Sequence, residues 1–348
     1  MFYQNCVKIL NVRRGKIAVG VIFLFLYVSL FHNVSKLKSL PWDHCEDISC
    51  HYSVEENALP SADGYDFSPS DKSIFFLETS CQRNLTSREL CAIESAARAH
   101  PDYQIKVLFT APISEDILEQ YVKFSLKQKF KNVRFARIHI DEYSKNTPVQ
   151  EVVRSGALDR SQWGVEHTSD LLRYLTLYKF SGIYLDLDVV VAKRLDTLAA
   201  NWAARESEWA VNSCAMSFSM DSVGRSIAKA AISELEKNFR YDLWSHNGPG
   251  VITRVLKMRC NTTDLKRMTS DICKGFEVYG PELFYPIKWQ NGREYFEPGI
   301  LENKDAYIYH VWNHVTKNRT PNKRSPYAHL ARTFCPSTYT LYEDRFGL

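Results

Sequence analysis

The stretch Ser181-Gly182-Ile183-Tyr184-Leu185-Asp186-Leu187-Asp188-Val189-Val190-Val191 decides how the chain is read. An apolar, β-branched run behind a glycine predicts a buried strand, and two aspartates interrupt it near its end. In an extended chain residues i and i+2 share a face, so Asp186 and Asp188 point the same way and Leu187 is expected to be buried on the other. Carboxylates crowded together repel each other unless a cation lies between them. The pair is therefore a candidate site for a divalent ion whose remaining positions go to phosphate oxygens and water. A solvated strand end is the alternative, because a bare Asp-x-Asp is common by chance.

Just upstream, His167-Thr168-Ser169-Asp170 opens a segment whose apolar positions Leu171, Leu172, Leu175, Leu177 and Tyr178 predict a helix. Ser169 is the expected N-cap and Gly182 the stop. Asp170 and Arg173 are three apart and share a helix face, either as a surface ion pair or as a pair held near the same site.

The series Ser169-Asp170-x-x-Arg173 followed by Gly182-x-Tyr184-x-Asp186-x-Asp188 resembles the sugar-nucleotide signature of glycosyltransferases that carry a "DXD" motif. More narrowly it is similar to the α1,4-glycosyltransferases, the group of α1,4-galactosyltransferases and α1,4-N-acetylglucosaminyltransferases. Phe75-Phe76-Leu77-Glu78-Thr79-Ser80, Glu94-Ser95-Ala96-Ala97-Arg98, His246-x-Gly248-Pro249, Phe284-Tyr285-Pro286-Ile287-x-Trp289 and His310-Val311-Trp312-Asn313 extend the likeness over Ser73 to Pro336. The resemblance implies a GT-A fold: a Rossmann-like mixed α/β sheet flanked by helices in a single catalytic domain. It also implies Mn²⁺ as cofactor, a UDP-sugar donor and an α-linked product. Under it Asp188 is a direct metal ligand, and Asp186 acts directly, through water, or on the ribose. Asp170 and Arg173 grip donor-sugar hydroxyls beside Tyr184. His310 either completes the metal shell, imidazole being acceptable to Mn²⁺, or is a hydrogen-bonded core residue.

Strand, helix and strand alternate over Ser73–Leu77, Leu90–His100 and Ile105–Phe109, with Val133–Ile140 as a third strand, which predicts a parallel sheet. Such sheets bind nucleotides at the C-terminal ends of their strands, so Glu78, Thr79 and Ser80 are candidates for the nucleoside or plain strand-end caps. His246-Asn247-Gly248 precedes Pro249 at the start of a helix over Val251–Met258. That loop either offers backbone N–H groups to phosphate or acceptor or simply starts the helix. Trp289 and Trp312 could stack on sugar faces or merely pack. Retention of configuration requires a carboxylate nucleophile or a front-side path, and Glu282 and Asp242 are the only guesses at a nucleophile.

At 348 residues and 45% hydrophobic, the chain suits one large α/β domain behind an N-terminal segment. Of its 44 basic residues six fall within 1–40, where no acid occurs, leaving 38 against 40 acids. The remainder is near neutral, and no nucleic-acid partner is expected. Ile17–Phe31 is an uncharged apolar run, extendable to Val34, that as a helix spans roughly 22 to 27 Å. With Lys8, Arg13, Arg14 and Lys16 before it and only Lys36 and Lys38 after it, a type II signal-anchor is favoured over a cleaved signal peptide. The expected organisation is a cytoplasmic tail (1–16), a transmembrane anchor (17–34), a stem (35–72) and a lumenal catalytic domain (73–348). Cys6 is then cytosolic, and an even count of eight remaining cysteines predicts disulfides, Cys260 with Cys273 being the best local pair. A zinc site is disfavoured because no Cys-x-x-Cys occurs. Asn84, Asn261 and Asn318 open N-glycan acceptor sequences.

The resemblance, together with the N-terminal apolar run, implies a Golgi membrane enzyme, a retaining, Mn²⁺-dependent α1,4-glycosyltransferase. Its expected reaction moves galactose or N-acetylgalactosamine from a UDP-sugar to a glycosphingolipid, with N-acetylglucosamine transfer to an O-glycan as the fallback. Its partners are the donor, a glycolipid or glycan acceptor and the membrane; a homo-oligomer, or a hetero-oligomer with other Golgi enzymes, is left open. Two readings from other classes compete: an aspartyl phosphatase using Asp186 and Asp188, and a non-catalytic lumenal lectin or partner protein.

Overall fold

Alternation along one strand sets up the interior. In β1 (Ser73–Glu78) Ile74 and Phe76 turn into one apolar layer, Phe75 and Leu77 into the other. A strand covered on both faces by helices has this composition. In the computed structural model, which describes residues 46–55, 58–64, 67, 69–114, 116–118 and 129–347, β1 pairs in parallel with β2 (Gln104–Phe109) and β4 (Gly182–Leu185). Beyond β2 lies β3 (Val133–Arg137), also parallel. On the other side β4 meets β7 (Val211–Phe218) antiparallel, followed by β6 (Trp202–Arg205) and β8 (Glu277–Tyr279). The seven-stranded order is β3-β2-β1-β4-β7-β6-β8, and β5 (Val189–Val191) leaves it to pair antiparallel with β9 (Ile308–His310). The expected mixed α/β sheet with flanking helices is present.

Four helices matter for the site. They are α1 (Ser87–Ala99), α2 (Gly164–Phe180), α3 (Ser222–Asn238) and α4 (Pro249–Cys260). Helix α1 starts with a capping box in which Thr86 and Glu89 satisfy each other's backbone N–H groups. Ser169 is not the N-cap of α2: the helix begins five residues earlier, at Gly164, and the carboxylate of Glu46 accepts from the Val165 N–H at 2.9 Å. A cap supplied from so far away leaves no local trace in the sequence. The helix ends at Phe180, with Ser181 rather than Gly182 as its C-cap (φ 59°). Gly182 opens β4 at φ 106°, where a Cβ would sit 2.7 Å from the carbonyl oxygen of Ser73, so only glycine lets β4 approach β1 this closely.

The proposed membrane anchor, 17–34, lies outside the described residues. Among those described, no helix is long and apolar enough to cross a membrane. The stretch expected to be a stem is not one from residue 46 onward, since Cys45–Leu348 forms one compact unit. Ile48, Leu59, Ala62 and Phe67 are buried in it, and Leu59 and Ala62 donate backbone hydrogen bonds to Ile113 and Arg137. Scattered apolar residues without a period read as linker in the sequence, yet these four are buried. Disulfides join Cys50 to Cys81, Cys91 to Cys335 and, as expected, Cys260 to Cys273. Cys214 is a buried free thiol, so the even count did not mean complete pairing, and Cys45 lies outside the described residues.

Candidate active site

A cavity of about 740 Å³ opens at the C-terminal edge of the parallel strands. The ends of β1 and β4 lie side by side there, so Glu78 and the Asp186-Leu187-Asp188 segment, far apart in sequence, line one space. Strand β4 stops at Leu185, and the aspartates occupy the turn between β4 and β5. Leu187 is consequently half-buried against the cavity and not sunk in a core, because the strict two-residue alternation ends with the strand.

The two aspartates are held by different machinery. Asp186 Oδ1 accepts from the Tyr184 hydroxyl at 2.6 Å and lies 3.2 Å from an Arg173 Nη. Arg173, 7% exposed, is also bonded to Ser169 and Ser213 and lies 3.4 Å from Asp170, so its donors are all directed at protein. Burial opposes its charge, yet Asp186, then Tyr184 and Asp170, hold the guanidinium well above its ordinary value. Burial pushes the Asp170 carboxyl up to about 7 despite Arg173. Burial also raises Asp186, against the pull of Arg173 and with the nearby charge of Asp188 adding to the rise. Arg173 and Tyr184 thus fix Asp186, and with Asp170 they line the same cavity.

Asp188 faces the opposite half. The pairing Val189↔His310 sets the imidazole beside it, Nε2 to Oδ1 at 3.0 Å, and the Asn313 N–H donates to Oδ2 at 2.8 Å. Burial opposes charge on both members, but mutual attraction and the hydrogen bond outweigh it, leaving the Asp188 carboxyl low and the His310 imidazolium high. Trp312, between His310 and Asn313, has a left-handed backbone (φ 58°), a conformation that costs on the order of 1–3 kcal/mol in a non-glycine residue. Its indole N–H donates to the Ile287 carbonyl at 2.8 Å and its ring lies 4.0 Å from that of His310.

Two carboxylates and one imidazole suit a hard divalent ion. The His310 Nδ1 is buried without a hydrogen-bond partner, and the repulsion that raises Asp186 is of the kind a cation would relieve.

Other expected residues divide. Glu78 lines the cavity, with one oxygen accepting from the Ser80 N–H at 2.7 Å and the other buried without a partner. Thr79 also lines it, but its hydroxyl donates to the Val165 carbonyl at 3.1 Å. The His246-Asn247-Gly248 loop does not contribute: His246 bonds the Asn238 carbonyl, Asn247 pairs with the Arg240 backbone, and the Gly248 carbonyl accepts from Tyr174. A Cβ on Gly248 would fall 2.2 Å from Asp170, so this glycine admits the carboxylate and does not reach the cavity, which Trp244, Ser245 and Pro249 line instead. Glu282 and Asp242 are exposed and stand outside the lining, which removes both as nucleophiles. Trp289 is half exposed at the cavity and Trp312 is buried in its wall.

Sequence reasoning missed Glu89, Glu166, Asn212 and Ser213 in the lining. Burial, with Glu78 close by, pushes Glu89 up to about 7; burial, with Glu46 close by, does the same to Glu166. Polar Asn212 and Ser213 at the start of an apolar strand were the available signal.

Residues 86–207 match the glycosyltransferase sugar-binding region containing the DXD motif, and residues 220–342 match the alpha 1,4-glycosyltransferase conserved region. The chain is 32% identical over 274 residues to lactosylceramide 4-alpha-galactosyltransferase of Rattus norvegicus, covering 76% of this chain and 74% of the relative. The chain belongs to the α1,4-glycosyltransferase family. The human lactosylceramide 4-alpha-galactosyltransferase is 30% identical over 78% of this chain and 77% of its own length. Human alpha-1,4-N-acetylglucosaminyltransferase is 25% identical over 77% and 80%. As an α1,4-glycosyltransferase the chain is an enzyme that transfers a sugar, which sets aside the phosphatase and the non-catalytic readings.

Proposed function

We propose that this α1,4-glycosyltransferase moves galactose or N-acetylgalactosamine from a UDP-sugar to the terminal sugar of a glycosphingolipid, with retention of configuration. The carrying observation is the convergence of Asp186, Asp188 and His310 on one cavity that also reaches Glu78 at the end of β1. Those three side chains would hold Mn²⁺, which when bound neutralises diphosphate charge as a Lewis acid and so eases departure of UDP. Arg173 and Tyr184 keep Asp186 oriented toward the cavity, and the Asn313 N–H does so for Asp188. The unpartnered oxygen of Glu78 offers an acceptor for nucleoside N–H or O–H groups, and the GT-A assignment is part of the same reading. The galactosyl donor is preferred over N-acetylglucosamine because the galactosyltransferases are the more similar relatives. A Golgi location, with an anchor at 17–34 and the catalytic domain lumenal, completes the proposal and rests on the apolar run and its flanking charges.

The full chain in detergent with Mn²⁺ and a panel of UDP-sugars should release UDP fastest with UDP-galactose or UDP-N-acetylgalactosamine and a glycolipid acceptor. Asp188→Asn should lower transfer by at least about 100-fold, since even outer-shell partners of a metal are worth 10- to 100-fold. Unaltered transfer in that variant would remove the metal assignment, and exclusive use of UDP-N-acetylglucosamine would replace the donor.

A further inference from the structure

Behind the corner between Asp186 and His310 lies a thiol that sugar transfer does not use. Cys214, on β7, is 1% exposed. Its Sγ, an Asp186 carboxylate oxygen and a His310 ring nitrogen lie within 4.8 Å of one another. A buried free cysteine usually serves as a small apolar side chain, and the apolar cluster around Cys214 fits that role on one side. On the other side stand a carboxylate and an imidazole whose Nδ1 is buried without a partner. The arrangement is fixed by backbone contacts. The Asp186 N–H donates to the Cys214 carbonyl at 2.7 Å, the Cys214 N–H to Asn212 Oδ1 at 2.8 Å, and the pairing of β5 with β9 holds His310. In a tetrahedral zinc-type site sulfur, nitrogen and oxygen donors are about 3.4–3.6 Å apart, within reach of small side-chain rotations from here.

We propose that Asp186, Cys214 and His310 form a site for a thiophilic divalent cation of the zinc class. A cation there takes two ligands away from the hard-ion arrangement with Asp188, so the two modes exclude each other and zinc-class ions inhibit transfer. Binding forms metal–sulfur, metal–nitrogen and metal–oxygen bonds, releases the thiol proton and any imidazole proton to solvent, and involves no change of oxidation state. The proposal shares Asp186 and His310 with the transfer reading, but its test reads coordination and not turnover, so the two can fail separately.

The probe is Co²⁺ added to the metal-free full chain carrying Cys6→Ser and Cys45→Ser, the two cysteines outside the described residues. A thiolate-to-cobalt charge-transfer band in the near ultraviolet, bleached by Zn²⁺, is expected. Adding Cys214→Ser should abolish the band and weaken Zn²⁺ binding by at least about 100-fold, the upper end of the loss for an outer-shell partner. Near-ultraviolet circular dichroism checks that variant's fold. Independently of it, X-ray absorption at the zinc edge of the Zn²⁺-loaded protein that retains the thiol should show a sulfur neighbour at about 2.3 Å. Bound Co²⁺ without the band, a band that survives Cys214→Ser, or bound Zn²⁺ with no sulfur neighbour would overturn the proposal.

Discussion

The two halves of the site solve the same electrostatic problem with different cations. Asp186 is anchored by Arg173, which is charged at every accessible pH and makes four hydrogen bonds within the protein besides its two ion pairs. Asp188 is anchored by His310, whose charge is conditional, and by one backbone N–H. The first half is therefore permanent scaffold. The second is a proton-bearing pair that, under the proposed function, a metal ion would take over, because coordination needs the neutral imidazole.

That difference can be broken most severely at Arg173. Arg173→Met strands the carboxylates of Asp170 and Asp186 in a buried environment and should cost about 3–5 kcal/mol, read as a lower midpoint in urea unfolding. His310→Gln should cost about 1–3 kcal/mol, because Asp188 keeps the Asn313 N–H. Equal losses in the two variants would mean that the halves are not distinct.

Proton linkage sharpens the comparison further. The low Asp188 carboxyl contributes stability above its unfolded value near pH 4 and loses it as pH falls through the folded value. The high His310 contributes fully below its unfolded value near pH 6.5 and loses its contribution as pH rises through the folded one. The metal-free pair is thus most stabilising between about pH 4 and 6.5. A metal ion must displace the His310 proton, so Mn²⁺ affinity measured by calorimetry should rise by up to about tenfold per pH unit above pH 6, with close to one proton released. His310→Gln should flatten that slope while weakening binding. An unchanged slope would place the titrating group elsewhere.

The legibility of the site follows the same division. Asp170, Arg173, Tyr184, Asp186 and Asp188 lie close together in the chain, so helical spacing and strand alternation bring them into view directly. The contact of Arg173 with Ser213 is not legible locally, because Ser213 comes from an antiparallel neighbour strand. His310 entered through family resemblance, since only the pairing of β5 with β9 places it beside Asp188. The parallel strands were read close to their true limits because apolar alternation is local information. The docking of residues 46–72 and the Glu46 cap depend on contacts between distant segments, which no window of sequence contains.

Strand β8 completes the central sheet by Tyr279, whereas β9, carrying His310, and the turn through Trp312 come later in the chain. A product ending directly after β8 would own every central strand and the Arg173 clamp, yet lack both groups that secure Asp188, together with the Cys335 partner of Cys91 and the buried aromatic residues from Phe284 to Phe346. The last part of the chain to be synthesised therefore closes the core and secures Asp188 in the same step, so a shortened polypeptide is expected to lose packing and site together.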